Sequence, residues 1–186
     1  MKKIILIGGK ARSGKDTLAT YLKEKLEADG NLVVVDMFAK YLKGYCRQIG
    51  WDGKTKNEYW RGVWQKLGSD EIKEKLNYTS FHARRLSEDF QIMSDFFGVD
   101  YFIVSDTRYR DEIFTMKAMF PDDVMSVNVI RLGLKSDLTT EQLKHKSEND
   151  LNGFAAFDYS IMVQDGIQHL YDEADRVLGK VLGYKE

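Results

Sequence analysis

Lys3-Ile-Ile-Leu-Ile-Gly8-Gly9-Lys-Ala-Arg-Ser-Gly14-Lys15-Asp16-Thr17 decides the reading of this chain. A continuous apolar run gives way to glycines and then to Lys15–Ala28, which has the pattern of an amphipathic helix. The segment Gly9 to Lys15 matches G-x-x-x-x-G-K in the strand–loop–helix setting that phosphate binding requires. Backbone N–H groups wrap the phosphates and the helix N-terminus adds its dipole. Lys15 then reaches the outer phosphates as a point charge. The candidate nucleotide-binding residues are therefore Gly9, Lys10, Ala11, Arg12, Ser13, Gly14, Lys15, Asp16 and Thr17. Asp16 stands where such loops usually carry a Mg²⁺-binding hydroxyl, and Thr17 follows it. Its carboxylate suits Mg²⁺, directly or through water, and equally suits the dipole of a helix's first turn. Arg12 either touches a phosphate or faces solvent.

Outward from this segment, short apolar runs alternate with longer helical patterns. Strands are expected over Lys3–Gly8, Leu32–Asp36, Tyr101–Ser105, Val127–Arg131 and Tyr159–Val163. Helices are expected over Lys15–Ala28, Lys40–Ile49, Glu58–Lys75, His82–Phe97, Arg110–Phe120 and Ile167–Leu182. Near-continuous apolar strands joined by helices imply a parallel sheet covered on both faces, an α/β fold with right-handed crossovers. Ligands then bind outside the carboxyl ends of the strands. Three of those ends are polar and should line one crevice: Gly8-Gly9-Lys10, Asp36 and Ser105-Asp106.

The chain has 186 residues, a size that fits one domain, with 43% hydrophobic and 31% charged residues. The 28 Lys and Arg residues nearly balance 29 Asp and Glu, so no global positive field exists to hold nucleic acid or an acidic membrane. One cysteine, Cys46, excludes an internal disulfide and a cysteine-rich zinc site, and fits a reducing compartment. The apolar run Ile4–Ile7 is too short for a secretory signal, and no run is long enough to span a membrane. A cytoplasmic protein is expected. His82, His145 and His169 show no metal-ligand spacing.

A second constellation follows the third strand, Ser105-Asp106-Thr-Arg108-Tyr-Arg110-Asp111-Glu112. Asp106, at a strand exit beside the loop, is placed to orient Mg²⁺ or an acceptor hydroxyl. Arg108 has the planar fork that clamps a phosphate. Glu112 and Asp111 either fix those arginines or serve as first-turn acids. Residues 36–100 are mostly helical and hold all three tryptophans, Trp51, Trp60 and Trp64. They read as a helical insertion that builds an acceptor pocket, with Asp36, Arg61, Gln65 and Arg84 as candidate acceptor-binding residues. Arg85 is a weaker candidate there. Residues 132–153 carry Lys135, Lys144, His145 and Lys146 and read as a small lid, with Arg131 leading into it. A lid matters because an open site would hydrolyse its donor.

Together these residues resemble the deoxynucleoside monophosphate kinases of phage and bacterial type, a branch of P-loop kinases. The resemblance is carried by Gly9–Thr17, Phe38-Ala-Lys-Tyr-Leu-Lys43, Gln65–Asp70, Ser105–Glu112, His145–Glu148 and Phe157-Asp-Tyr159, in order over nearly the whole chain. It implies a three-layer P-loop NTPase fold with a five-stranded parallel sheet, ATP as donor, Mg²⁺, a deoxynucleoside monophosphate as acceptor, and a homodimer. Carried onto this chain, it implies that Gly9–Thr17 bind donor phosphates. Asp106 and Arg108 fall on the acceptor or metal side, Asp16 and Asp106 with the metal. Lys15, Asp106, Arg108 and Arg131 then form the catalytic set. The lid departs from nucleotide kinases in being poor in arginine, which leaves charge clamping to Arg12, Arg108 or Arg110.

Two alternatives share parts of the pattern. Animal-type phosphomevalonate kinases also look like Gly-Lys-x-x-Ser-Gly-Lys-Asp followed by Ser-Asp-Thr-Arg. The aromatics of the insertion (Tyr59, Trp60, Trp64, Tyr78, Phe81) favour a flat base over an isoprenoid precursor. A slow nucleotide-dependent switch would carry a guanine-reading Asn-Lys-x-Asp, which the chain lacks.

Overall fold

The computed structural model describes residues 1–133, 138–164 and 166–183. Its strands are β1 (Lys3–Gly8), β2 (Val33–Asp36), β3 (Tyr101–Thr107), β4 (Val124–Arg131) and β5 (Tyr159–Val163). The helices are α1 (Lys15–Ala28), α2 (Lys40–Gln48), α3 (Glu58–Gln65), α4 (Phe81–Phe97), α5 (Arg110–Met119), α6 (Thr140–Lys144), α7 (Lys146–Asn149) and α8 (Ile167–Leu182), with a π-helix over Lys66–Lys75. All five strands are parallel, in the spatial order β2-β3-β1-β4-β5. Connections from β1 run toward β2 and those from β3 run toward β4, so they part at the carboxyl ends of this neighbouring pair. That divergence opens the crevice in which such sheets bind ligands.

Alternating side chains on each strand go to opposite layers. Ile5, Ile7, Ile103 and Val127 pack under α1 and α8, against Leu18, Leu22, Ala174 and Val177. Ile4, Leu6, Phe102 and Val104 pack under α4 and α5, against Leu86, Phe90, Ile113 and Met116. The result is the expected three-layer α/β sandwich, with Phe90 stacked on Phe102 at 4.1 Å. No helix among the described residues is long and apolar enough to cross a membrane.

The expected elements are present with shifted ends. The fourth strand begins at Val124 and the third runs on to Thr107. Pairing of β1 with β3 slips between Leu6 and Gly8, so Leu6 faces Val104 while Gly8 faces Thr107. The extra residue bulges β3 beside the phosphate loop. The single helix expected over Glu58–Lys75 is α-helical only to Gln65 and then winds wider. The wider turns bring Ser69 and Lys73 onto α5, where they meet Tyr109, Asp111 and Glu112. The insertion, residues 36–100, consists of α2, α3, the π-helix and α4. Of the lid, residues 132–133 and 138–153 are described, and Lys135 lies outside the described residues.

Gly9 joins β1 to the loop at φ +137, and a Cβ there would lie 2.4 Å from the Val129 carbonyl oxygen and 2.8 Å from Ser13 Oγ. Backbone cannot give way as a flexible side chain does, so Gly9→Ala pushes the loop off β4. The variant is expected to lose at least about 2 kcal/mol. Urea unfolding should show a lower midpoint at unchanged slope. A midpoint within error of wild type would show that the loop does not need this close approach.

Candidate active site

The loop 9–14 leaves β1 and enters α1 through Gly14, whose φ of 106 is open to glycine at little cost. Arg12 also adopts a left-handed φ of 60. This winding leaves Ser13 only 1% exposed, its Oγ without a hydrogen-bond partner among the described residues. An orphaned hydroxyl inside a loop of amides is a fit for an anionic oxygen. Lys15 turns back under the loop and donates to the Lys10 carbonyl oxygen at 2.6 Å. It is 7% exposed. Burial, with the Arg108 guanidinium second, pulls its ammonium down to a pKa of about 8. Asp16, Glu148 and Asp106 pull the other way, which places all three around it.

At the end of β3, Asp106 accepts the amide of Phe38 at 2.7 Å and that of Ala39 at 3.1 Å. These are donors left over at the start of α2, so Asp106 ties the insertion to the sheet. Burial raises its pKa, against the opposing pull of Lys43 and the two amides. A carboxylate has about four acceptor positions, so these bonds leave room for a cation or a substrate hydroxyl. Asp36 at the end of β2 accepts its neighbour's amide, from Met37, and the Lys40 ammonium at 2.8 Å. Lys40 also reaches Asp89 at 2.8 Å.

Arg108 donates to Glu148 of the lid at 2.7 Å. Its amide and that of Tyr109 are both accepted by Glu112 Oε2, at 2.9 and 3.1 Å. Glu112 is 3% exposed, and burial lifts its carboxyl to about 7, opposed first by Lys73. Lys73, itself buried, lies 3.3 Å from Glu112, 3.1 Å from Asp111 and 3.9 Å from the centre of the Tyr109 ring. Tyr109 hydrogen-bonds Ser69 of the π-helix. Nearby, burial and then the Lys73 charge lower His82 to about 4, and its Nε2 faces the Gly68 carbonyl oxygen at 3.4 Å. Two contacts run from the lid to the π-helix, His145 Nε2 to Asp70 Oδ1 at 3.4 Å and the Lys146–Glu74 ion pair at 3.7 Å. Arg110 fixes the lid's far end through Asp150 and Asn152.

These contacts enclose a cavity of about 530 Å³. Gly9, Lys10, Ala11 and Ser13 line one side, Arg108 and Arg131 another, and the lid residues Ser147 and Glu148 the third. Asp16 and Thr17 instead open on a shallower cavity of about 370 Å³ on the outer side of α1, with Tyr21 and Tyr171. The structure therefore gathers Arg108, Arg131 and the loop residues Gly9, Lys10, Ala11 and Ser13 around one space, while Lys15, turned to the Lys10 carbonyl oxygen, and Asp106, bonded to the start of α2, lie outside its lining. Of the expected acceptor residues only Arg108 lines it; Asp36, Arg61, Gln65 and Arg84 do not, and Arg84 is exposed and bonded to Ser80 at the start of its helix. Arg61 and Gln65 lie half-buried on α3. Trp51 and Trp64 meet edge to face at 5.1 Å, and Trp51 donates to the Thr55 carbonyl oxygen at 2.7 Å. They belong to the insertion's own packing, and of the five aromatics expected to favour a flat base only Tyr59 and Tyr78 are exposed. Reading the sequence missed Lys73, Tyr109 and Ser69, which come from segments forty residues apart and share no local pattern. Among the described residues no group of three or more His, Cys, Asp or Glu is arranged to hold a metal.

The sequence matches no protein-family model and none of the curated proteins. Solved structures of similar fold include the APS kinase of Mycobacterium tuberculosis in complex with AMPPNP and APS, at 13% identity and a TM-score of 0.52, covering 97% of both chains. A sugar kinase from a Janibacter species aligns at 15% identity and a TM-score of 0.54, covering 96% of this chain and 95% of the other. Dephospho-CoA kinase from Campylobacter jejuni aligns at 14% identity and a TM-score of 0.51 over the whole of both chains. The likeness is one of fold: the five-stranded parallel sheet flanked by helices is that of P-loop kinases.

Lys15 gives the site a pH signature. Its folded pKa of about 8 is below its ordinary 10.5, so the folded protein releases this proton while the unfolded chain keeps it. The charged form is complete below pH 8 and is lost as pH rises through it. Affinity for inorganic tripolyphosphate should therefore fall above pH 8, approaching about tenfold per pH unit where only the ammonium form binds. Calorimetric titration from pH 7 to 10 checks this, with Lys15→Met losing the slope. The same slope in both proteins would remove Lys15 from phosphate binding.

Proposed function

We propose that this protein transfers the γ-phosphoryl group of ATP to the phosphate of a (deoxy)nucleoside monophosphate, giving ADP and the nucleoside diphosphate. The observation that carries the reading is the buried Lys15, held against the Lys10 carbonyl oxygen inside a loop whose Ser13 hydroxyl has no partner among the described residues. A desolvated ammonium within a backbone loop at a helix N-terminus suits a polyphosphate. The P-loop kinase fold supports the reaction type, and the motifs from Phe38 to Tyr159 support the acceptor class.

In this reading the donor phosphates lie along Gly9–Thr17. Lys15 and the loop amides neutralise charge that builds on the transferring group. Arg108, positioned through its backbone by Glu112, turns from Glu148 to a phosphate, and Arg131 approaches from the lid's start. The acceptor enters from the insertion side, where Asp36, Arg61 and Gln65 stand. Lid residues 138–153 exclude water so that ATP is spent on the acceptor. Asp106 and Asp16 offer the hard carboxylate oxygens that Mg²⁺ takes alongside phosphates, and the charge of each acts on Lys15. Mg²⁺ bound there supplies charge neutralisation. The setting is cytoplasmic, with small nucleotides as partners and a homodimer as the assembly.

The test is ADP release from ATP and Mg²⁺ with each common ribo- and deoxynucleoside monophosphate, and with phosphomevalonate. Turnover above about 1 s⁻¹ with at least one nucleotide is expected. Lys15→Ala should lower it at least a thousandfold while still folded. Activity with phosphomevalonate alone would keep the chemistry and replace the acceptor, and silence across the panel with ATP bound would overturn the kinase reading.

A further inference from the structure

Lys43 acts on Asp106 from the start of the insertion, and the roles above leave it unused. It lies on α2, and its backbone amide donates to the Ala39 carbonyl oxygen at 2.8 Å. Ala39 is the residue whose own amide is held by Asp106. Residues four apart share a helix face, so Lys43 stands one turn above the Asp106 anchor and on the same side. The charges acting on it agree: Asp106 from β3 and Asp16 from α1 both favour its charged form, although Lys43 belongs to neither element. Lys56 and Arg47 of the insertion add further positive charge beside it.

Its surroundings do not complete it. The Nζ donates to Met37 Sδ at 2.9 Å, a weak acceptor, and sits 5.8 Å from the Trp64 ring. Among the described residues no carboxylate lies within ion-pair distance of it, whereas its neighbour Lys40 has two. Burial lowers its pKa, the cost of holding an ammonium away from water without an anion. A purely structural lysine on this helix would be expected to reach solvent or a carboxylate, as Lys40 does. Lys43 instead keeps its ammonium half-buried between Met37 and the Trp64 ring, within the field of Asp106 and Asp16.

We propose that Lys43 binds the phosphate of the acceptor and carries its charge toward the transferring group, opposite Lys15. This rests on the phosphoryl-transfer reading above and assigns within it a residue that contacts substrate. The acceptor phosphate is a dianion near neutral pH, and Lys43, with Arg47 and Lys56 behind it, supplies the matching field. Lys15 serves the donor and Lys43 the acceptor, so removing one charge should be felt by one substrate.

The experiment compares wild type with Lys43→Met, which keeps the stem, and Lys43→Arg, which keeps the charge. Each of the four 2′-deoxynucleoside monophosphates is used as acceptor, and donor binding is read separately with a non-hydrolysable ATP analogue. Lys43→Met is expected to lower kcat/KM for the acceptor at least a hundredfold and leave the analogue's Kd within threefold; Lys43→Arg should recover to within tenfold of wild type. Acceptor kcat/KM within threefold of wild type in Lys43→Met would overturn the assignment, as would an equal loss in analogue affinity. Should Lys43→Met fail to fold, lysine acetylation of wild type with mass-spectrometric readout decides. Lys43 should be protected at least fivefold by a nucleoside monophosphate and not by the analogue alone, and equal labelling would overturn the role. Wild type that turns over none of the acceptors fails the kinase reading itself, whereas an active wild type matched by Lys43→Met fails only this inference.

Discussion

A positive charge buried within a backbone loop is the constraint around which this molecule is built. Lys15 is 7% exposed and bonded to a backbone carbonyl, and its pKa is drawn down to about 8. Charges so placed cost stability unless something pairs with them. In the proposed reading the donor phosphates supply the anion that offsets that cost. The geometry that makes it bearable is local: Gly9 presses its backbone against Val129, and Gly14 takes a conformation closed to other residues at low cost. Together they let α1 begin with its amides aimed at the same point.

The rest of the crevice is arranged by bonds from the β3–α5 corner. Asp106 holds the first turn of α2, so the insertion starts in a fixed place relative to the loop. Glu112 holds the backbone of Arg108 and Tyr109, while Lys73 and Ser69 bring the π-helix to the same corner. The lid reaches the corner through Glu148 on Arg108, and reaches the π-helix through His145 and Lys146. Insertion and lid thus lean on one small set of residues. A ligand that takes Arg108 from Glu148 changes what holds the lid.

Much of this was legible in the sequence, for reasons that can be named. Continuous apolar runs such as Ile4–Ile7 and Phe102–Val104 mark strands buried on both faces, and all five strands were found where such runs occur. The phosphate loop was legible because its chemistry needs glycine at fixed places and Lys15 directly after. Asp106 and Arg108 stand out in the sequence as polar residues at a strand exit beside such a loop, and the structure gives each a local partner, Asp106 at the start of α2 and Arg108 in the lid. What was not legible depends on distance. The change to π-helical winding at Lys66 comes from what Ser69 and Lys73 must touch on α5, which no local pattern records. Trp51 and Trp64 read equally as pocket or core, and only their mutual packing shows the latter. Arg84 carries the same charge as Arg108 but bonds within its own helix, a difference that periodicity cannot express.

The central claim is that donor and acceptor phosphates meet across Lys15, one held by the loop and the other from the insertion. A single ligand can occupy both places: adenosine joined through five phosphates to the deoxynucleoside that is turned over fastest. Linking two correctly placed sites raises affinity by about 10² to 10⁴ over either part alone. Its Kd, measured by calorimetry beside that of ATP, should be at least a hundredfold tighter. A Kd no better than that of ATP would mean that the second site does not face the first, and that the two phosphates do not meet across Lys15.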